Sequence, residues 1–261
     1  MISASRELSR GAQVTATSGD PWYVTAFRSE YRTVYPHRDL ESARAEIAWA
    51  HGVGLEGRVL DLCCGFGRHA LALRELGVEV YGVDLSADLL RDSRELRGEV
   101  SIAGRLVRGD ARALPFVEGC FDGLVNLFSS FGYFGVQGDR EVLRQIVRVL
   151  RPGAPCLFDL MLPARVREDL VPESRRETSA GLLIERRSLE EEGRRVVKRV
   201  RLEGPEGEVH EWREDVRLYE PEEFVELLGD TGLELTGRFG GLMGEAFDEA
   251  ATRQVVLARK R

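Results

Sequence analysis

The most informative stretch of the sequence runs from Val59 to Ala70, where a short apolar run is followed by two glycines. Gly65 and Gly67 would let the backbone turn sharply and let a ligand approach it closely. Asp84 comes nineteen residues after Gly65, at the end of the next predicted strand. A carboxylate at that point can accept hydrogen bonds from both hydroxyls of a ribose. The spacing therefore predicts a site for a ligand that contains a nucleoside.

Two ligand classes fit this loop, and Asp61 distinguishes them. Residues 65–70 match the dinucleotide fingerprint G-x-G-x-x-A, which is a weak signal on its own. A carboxylate at the mouth of the loop would repel a pyrophosphate but attract an ammonium group, such as that of a methionine moiety. Further along, Asp110 and Ala111 follow the third predicted strand, where a carboxylate and a backbone amide could read an adenine edge. A nicotinamide dinucleotide is therefore disfavoured, and glycines that only shape turns are the remaining alternative.

As a set, these residues resemble the class I S-adenosylmethionine-dependent methyltransferases, over roughly residues 58–160 and again over 221–261. The motifs that carry the resemblance are Asp61 through Gly67, Asp84, Gly109-Asp110-Ala111, Phe121-Asp122 and Leu150-Arg151-Pro152-Gly153. The resemblance implies S-adenosylmethionine as the cofactor, S-adenosylhomocysteine as the product, and no metal.

It also implies that Asp61 and the loop backbone lie near the methionine portion, Asp84 at the ribose, and Asp110 at the adenine. Cys63 stands where the family usually has its first loop glycine, and a non-glycine residue predicts a turn with negative φ there. The residues predicted to contact the cofactor are Arg38, Asp61, Cys63, Gly65, Gly67, Asp84, Leu85, Asp110, Ala111 and Asn126.

The methyl acceptor is expected beyond the fourth predicted strand, in the segment from Asn126 to Phe134. This segment lacks the Asn/Asp-Pro-Pro-aromatic signature typical of nucleic-acid amino-methyltransferases. It is similar to small-molecule methyltransferases, including amino-sugar N,N-dimethyltransferases, although Tyr133 stands where those enzymes tend to have a histidine. The residues predicted to contact the acceptor are Tyr35, Phe128, Ser129, Tyr133, His210 and Arg213.

The segment from Tyr31 to Arg38 resembles the lid that folds over the cofactor in small-molecule members of the class. We expect Arg38 to pair with the methionine carboxylate, because a fixed cation there would complement Asp61 at the ammonium. The candidate catalytic residues are His37, as a general base by its chemistry, and Tyr133. An exposed histidine without a role is the alternative for His37.

Alternating short apolar runs and helical stretches must position these residues. They predict an α/β fold with a doubly wound, mostly parallel seven-stranded sheet. The resemblance implies that this sheet has the Rossmann-like methyltransferase fold. Three later segments alternate charged and apolar residues with period two and predict an inserted antiparallel β-meander. The predicted meander strands cover residues 182–189, 195–202 and 208–218.

The chain of 261 residues therefore divides into four predicted parts. Residues 1–20 form a disordered tail, 21–57 a helical lid, 58–162 and 219–261 the cofactor-binding domain, and 163–218 the meander. The meander would serve as a lid over the substrate or as a homodimer interface. Within it, Arg213 could bind an acidic acceptor or merely protect a strand edge.

Composition limits the function further. The formal net charge of −7 makes nucleic acid an improbable partner. The absence of a long apolar run excludes a membrane span. Four cysteines without metal-ligand spacing fit a reducing cytoplasm. The sequence predicts a methyltransferase acting on N or O of a small molecule. An RNA or protein methyltransferase and a non-catalytic cofactor-binding partner or sensor are the alternatives.

Overall fold

A computed structural model describes residues 20–28, 30–96 and 100–261. The predicted tail lies outside these residues, apart from Asp20. The helices are α1 (Trp22–Thr25), α2 (Tyr31–Val34), α3 (Leu40–Gly52), α4 (Arg68–Glu75), α5 (Ala87–Asp92), α6 (Gly135–Val149), α7 (Pro163–Asp169) and α8 (Pro221–Thr231).

Eleven strands are present in the described part of the chain, and they form two sheets. The larger sheet contains β1 (Arg58–Leu62), β2 (Glu79–Asp84), β3 (Leu106–Arg108), β4 (Gly123–Asn126), β5 (Pro155–Met161), β10 (Leu233–Phe239) and β11 (Arg253–Lys260). The smaller sheet contains β6 (Glu173–Thr178), β7 (Gly181–Glu190), β8 (Arg195–Glu203) and β9 (Val209–Arg217).

The seven strands of the larger sheet follow the order β10-β11-β5-β4-β1-β2-β3. The strands β1 to β5 pair in parallel, and only the β5–β11 and β11–β10 pairs are antiparallel. This architecture confirms the predicted mostly parallel seven-stranded sheet. The strand order reverses between β1 and β4, and the loops that follow these two strands meet in the crevice where α/β folds bind ligands.

Two apolar clusters cover the faces of this sheet. On one face, α3 and α4 contribute Ile47 and Leu73, which are fully buried. On the other face, α6 and α8 contribute Ile146 and Phe224, which are also fully buried. Burying such side chains stabilises the fold by about 1.5–3 kcal/mol each and fixes the loops at the edge of the sheet.

The smaller sheet has four antiparallel strands, whereas the sequence predicted three. The missed strand, β6, consists of Glu, Ser, Arg and Thr residues and has no apolar alternation that could reveal it. It forms because its backbone pairs with β7, and Thr178 and Gly181 close the hairpin between them. Helix α7 connects β5 of the larger sheet to β6 of the smaller one.

Among the described residues, no helix is long and apolar enough to cross a membrane.

Candidate active site

The loop between β1 and α4 adopts a sequence of left-handed backbone conformations. The φ angles are 62° at Cys63, 56° at Gly65 and 87° at Gly67. The prediction of a negative φ at Cys63 is therefore wrong. A non-glycine residue in this conformation costs roughly 1–3 kcal/mol, so the surrounding contacts must impose the turn. Among them, the Cys64 backbone N–H donates to the Val83 carbonyl at 3.1 Å, which ties the loop to the end of β2.

Asp84 holds this loop from the neighbouring strand. Its Oδ2 accepts a hydrogen bond from the Gly65 amide at 2.8 Å, and its Oδ1 accepts one from the Ser86 amide at 2.8 Å. Burial raises the pKa of the carboxyl, and the amide hydrogen bonds oppose that rise. Each oxygen keeps a second lone pair, so the carboxylate is fixed in orientation and can still accept hydrogen bonds from two ligand hydroxyls.

Asp61 is a buried carboxylate with an unsatisfied oxygen. Its side chain is 1% exposed, and Oδ2 has no hydrogen-bond partner among the described residues. Burial raises the pKa of Asp61 to about 7, while the Arg68 guanidinium and the Ala70 amide lower it. An unpaired buried carboxylate oxygen is costly, and a ligand ammonium group is the partner that would relieve this cost.

Arg38 is an interior cation without a carboxylate partner in the described part of the chain. Its guanidinium donates to the Tyr31 hydroxyl and lies 4.2 Å from the ring centre of Tyr35 and 4.5 Å from that of Phe128. Its Nε is buried without a partner. These aromatic contacts hold the cation in place but leave its charge uncompensated, so a ligand carboxylate could pair with it.

One cleft gathers most of the residues predicted to bind the cofactor. Seven of the ten line it, and Asp61 lines a small cavity that shares Arg38, Cys63 and Gly65 with the cleft. The seven are Arg38, Cys63, Gly65, Asp84, Leu85, Asp110 and Ala111.

Gly67 and Asn126 line neither space. Gly67 caps α4, where an added Cβ would lie 2.8 Å from Leu106 Cδ1. Asn126 is buried below the loop and donates to the Leu62 carbonyl at 3.1 Å. Both residues shape the loop rather than the surface of the cleft.

A salt bridge between Asp110 and Arg112 lies at the wall of the cleft. The Asp110 carboxylate accepts hydrogen bonds from the Arg112 backbone amide at 2.8 Å and from its Nη2 at 2.7 Å. These contacts lower the pKa of Asp110, so it is ionised at neutral pH. Ala111 beside it is buried, with its backbone at the wall of the cleft.

Aromatic residues of the N-terminal segment close the cleft. Tyr23, Phe27 and Tyr31 line it together with Tyr133, and the Trp22 and Tyr133 rings meet edge to face at 4.8 Å. The rings narrow the cleft to a free volume of about 70 Å³. Sequence reasoning did not predict that Tyr23 and Phe27 would line the cleft.

A second, larger cavity adjoins the cleft. Its free volume is about 630 Å³, within the range of small-molecule sites. It lies between α2, α7 and the smaller sheet. Both spaces share five lining residues: Phe27, Tyr31, Arg38, Phe128 and Tyr133.

Four of the six residues predicted to contact the acceptor line this larger cavity: Tyr35, Phe128, Ser129 and Tyr133. The other two lie elsewhere. His210 faces a separate surface groove, where its Nδ1 is 3.5 Å from Glu30 Oε1. Arg213 pairs with Glu190 and Asp215, and it lines neither the cleft nor the cavity.

The two candidate catalytic residues occupy very different surroundings. His37 is exposed and lines neither the cleft nor the larger cavity. Tyr133 lines both spaces, but burial raises its pKa well above the usual value for tyrosine. Tyr133 therefore keeps its proton at neutral pH and can donate a hydrogen bond, but cannot act as a base.

Sequence reasoning missed Asp159 and Arg253, which hold a turn in the wall of the larger cavity. Phe128 and Ser129 have positive φ angles of 60° and 56°. Asp159 holds this turn, because its Oδ2 accepts from the Phe128 amide at 2.9 Å. Arg253 donates to Asp159 Oδ1 at 2.8 Å and to Ser129 Oγ at 2.7 Å. No local sequence signal connects residues so far apart in the chain.

The described residues contain no cluster of three or more side chains that could hold a metal ion. The charges of the cleft and of the small cavity beside it fit S-adenosylmethionine. The unpaired oxygen of Asp61 suits its ammonium, the cation of Arg38 suits its carboxylate, and the fixed carboxylate of Asp84 suits its ribose.

Comparisons with known proteins agree with this geometry. A family model described as a methyltransferase domain matches residues 59–153. Demethylmenaquinone methyltransferase of Lactiplantibacillus plantarum is 42% identical over 101 residues, which cover 37% of this chain and 41% of that protein. The chain thus spans about half the length, or less, of the curated relatives it matches.

Solved structures resemble nearly the whole chain. The CcbJ methyltransferase of Streptomyces caelestis superposes with a TM-score of 0.77 at 20% identity, covering 93% of this chain and 99% of that one. The sugar N-methyltransferase KedS8 of a Streptoalloteichus species gives a TM-score of 0.66 at 16% identity, covering 98% and 99%. At 16–20% identity, the similarity to these structures establishes the fold alone. The residues matched by the family model, 59–153, include the loop between β1 and α4. Residues 59–153 thus carry a methyltransferase domain, and the chain has the fold of S-adenosylmethionine-dependent methyltransferases.

Proposed function

We propose that this protein transfers the methyl group of S-adenosylmethionine to a nitrogen or oxygen atom of a small-molecule acceptor. The observation that carries the proposal is the cavity of about 630 Å³ that adjoins the cofactor cleft and shares five lining residues with it. An acceptor in this cavity would lie directly beside the cofactor. The comparisons add support, since they include a demethylmenaquinone methyltransferase and a sugar N-methyltransferase.

In this proposal, residues 58–162 and 219–261 form the cofactor-binding domain, residues 21–57 the lid, and residues 163–218 a second wall of the acceptor cavity. Asp61 would hold the cofactor's ammonium, Arg38 its carboxylate, Asp84 the ribose hydroxyls, and Asp110 with Ala111 the adenine. When bound, S-adenosylmethionine would supply a methyl group on a positively charged sulfur.

The residues shared by the cleft and the cavity do two things for the transfer. Phe27, Phe128 and Tyr133 exclude water from the junction, and together with Arg38 they restrict how an acceptor can lie there. Aligning two reactants in this way can lower a barrier by about 7–11 kcal/mol.

None of the five shared residues can accept a proton at neutral pH, because burial raises the pKa of Tyr31 as well as that of Tyr133. An acceptor that attacks as a neutral amine suits such a junction, since its proton can leave to water after the transfer.

Thermal unfolding with added ligands tests the cofactor assignment. A ligand present at 100 times its dissociation constant stabilises the fold by about 2.7 kcal/mol, which raises the Tm by roughly 5 °C for a chain of this size. We expect this shift with S-adenosylmethionine and S-adenosylhomocysteine but not with NAD.

Variants make the test specific. Asp84→Ala should abolish the Tm shift. The control Asp230→Ala should keep it, because Asp230 is an exposed residue of α8 that pairs with Arg140. A shift with NAD alone would overturn the proposal. If the sulfur ligands do shift the Tm, a radiolabelled methyl donor offered with panels of amines, alcohols, RNA and protein would separate the acceptor classes. Labelling of none of them would indicate a non-catalytic binding protein.

A further inference from the structure

A buried polar cluster joins the N-terminal lid to the smaller sheet. It consists of Tyr35 from the lid, Glu185 from β7, Lys198 from β8 and Glu214 from β9, and we call it the Lys198 cluster. The Tyr35 hydroxyl donates to Glu214 Oε1 at 2.7 Å, and the Lys198 ammonium donates to the Tyr35 hydroxyl. Lys198 Nζ also lies 2.8 Å from Glu214 Oε2 and 3.6 Å from Glu185 Oε1. The three donors of the ammonium thus face three oxygen partners.

The cluster is largely buried, which strengthens its hydrogen bonds. The side chains of Lys198, Glu185 and Glu214 are 14%, 10% and 18% exposed. An apolar patch lies beside them, where the fully buried Val34 of the lid packs against Leu183 and Val200 of the sheet. Hydrogen bonds between ionised groups in such surroundings are stronger than neutral ones in water.

Tyr35, which the cluster holds in place, makes two contacts with Arg38. The Arg38 amide donates to the Tyr35 carbonyl at 3.0 Å. The Arg38 guanidinium lies over the Tyr35 ring, 4.2 Å from its centre. Arg38 lines both the cofactor cleft and the acceptor cavity, whereas Lys198 and Glu214 line only the acceptor cavity.

We propose that Lys198 and Glu214 are positioning residues for the cofactor, acting through Tyr35 on Arg38. This inference rests on the proposed function, in which Arg38 pairs with the cofactor's carboxylate. The smaller sheet then does more than enclose the acceptor: it fixes the cation on which cofactor affinity depends. The path is continuous from β8 and β9 through the tyrosine hydroxyl to the guanidinium.

A double-mutant cycle tests the path, with S-adenosylhomocysteine as the probe and its dissociation constant measured by calorimetry. Tyr35→Phe removes the lid's hydroxyl and leaves the ion pairs of the sheet intact, while Lys198→Met removes the sheet's cation. We expect each variant to bind the probe about tenfold more weakly, a typical size for coupling between sites. Because both substitutions break the same path, the double variant should bind the probe no more than about threefold more weakly than either single variant does.

Two control variants carry the same chemical changes elsewhere. Tyr81→Phe removes a tyrosine hydroxyl that donates to Glu79 on β2. Arg199→Met removes the cation that follows Lys198 and pairs with Glu190 on the other side of the sheet. Both controls should bind the probe as the wild type does. If Lys198→Met fails to fold, Glu214→Gln replaces it in the cycle.

The outcomes are distinct. Unchanged affinity in Tyr35→Phe, or single effects that multiply to about a hundredfold in the double variant, would overturn the inference while leaving the proposed function intact. A wild type that does not bind S-adenosylhomocysteine would overturn the proposed function itself. A faster dissociation rate in both single variants, with an unchanged Tm for Tyr35→Phe, would support a positioning role over a purely structural one.

Discussion

Cofactor affinity should depend on pH through Asp61. Burial raises the pKa of this carboxyl to about 7, from an ordinary value of 3.8. A ligand ammonium pairs with the carboxylate and not with the acid, so binding requires the ionised form. With a pKa of about 7, roughly a tenth of the protein is ionised at pH 6 and nine tenths at pH 8. We therefore expect affinity for S-adenosylhomocysteine to rise about tenfold between these pH values.

The same raised pKa determines how the stability of the ligand-free protein changes with pH. A carboxyl whose pKa is higher in the folded state binds its proton more tightly there. The free energy of unfolding therefore falls as the pH rises from about 4 to about 7. The difference between 3.8 and about 7 corresponds to about 4 kcal/mol for this fully buried group. Asp61→Asn keeps the shape without the charge, so it should raise the Tm at pH 8 by roughly 5 °C or more.

Calorimetric titration of S-adenosylhomocysteine at pH 6, 7 and 8 measures the effect. At pH 6.5, in two buffers of different ionisation enthalpy, it should also detect release of about three quarters of a proton per ligand. Asp61→Asn should bind weakly at every pH and release no proton, whereas the control Asp230→Asn should behave as the wild type does. An affinity that is flat from pH 6 to pH 8, or an Asp61→Asn variant that binds normally, would refute the assignment of Asp61 to the ammonium.

Three further predictions concern the elements that hold the site. Cys63→Gly relieves the strain of the left-handed conformation at φ 62°, so its free energy of unfolding should stay within about 1 kcal/mol of the wild-type value. Cys63→Val should lower the free energy of unfolding by about 2 kcal/mol, and urea unfolding measures both. Gly132→Ala would bring a Cβ within 2.5 Å of the Arg217 carbonyl oxygen, and its Tm should fall by several degrees, about 2 kcal/mol or more. The Tyr219 hydroxyl donates to Asp139 at 2.7 Å, and burial raises the pKa of Asp139 to about 6. Tyr219→Phe should therefore cost about 1–3 kcal/mol in urea at pH 8 but less at pH 5, where Asp139 is protonated in the folded state.

Each of these three has a result that would contradict it. Equal losses in Cys63→Gly and Cys63→Val would mean that the thiol, and not the backbone conformation, matters at that position. An unchanged Tm for Gly132→Ala would mean that the smaller sheet yields easily at its junction with the larger one. A loss in Tyr219→Phe that is the same at both pH values would mean that the hydroxyl does not act on an ionised carboxyl.

The cofactor half of the site could be predicted from the sequence because its signals are local. Asp61 in a short apolar strand, glycines at 65 and 67, and Asp84 at the end of the next strand lie within 24 residues. Parallel pairing of β1 with β2 then brings the two strand ends together, with Leu62 opposite Val83. The seven-stranded order follows from the same alternation of strands and helices, because right-handed crossovers leave few other arrangements.

The acceptor half was decided by tertiary structure. Arg253 and Ser129 are 124 residues apart, and Lys198 and Tyr35 are 163 apart, yet each pair is hydrogen-bonded. Such contacts depend on how the smaller sheet and the lid pack, which no periodicity in the sequence encodes.

The same reason explains why three residues predicted for the site line neither the cleft nor the larger cavity. His37, His210 and Arg213 were chosen by chemical type, but accessibility and partners depend on which side of a strand or loop faces the cavity. At Cys63 the sequence favoured an ordinary turn, and the hydrogen bonds of the folded loop impose a left-handed one. Local patterning thus determined the larger sheet and the glycine loop at its edge, while long-range packing decided which side chains line the larger cavity.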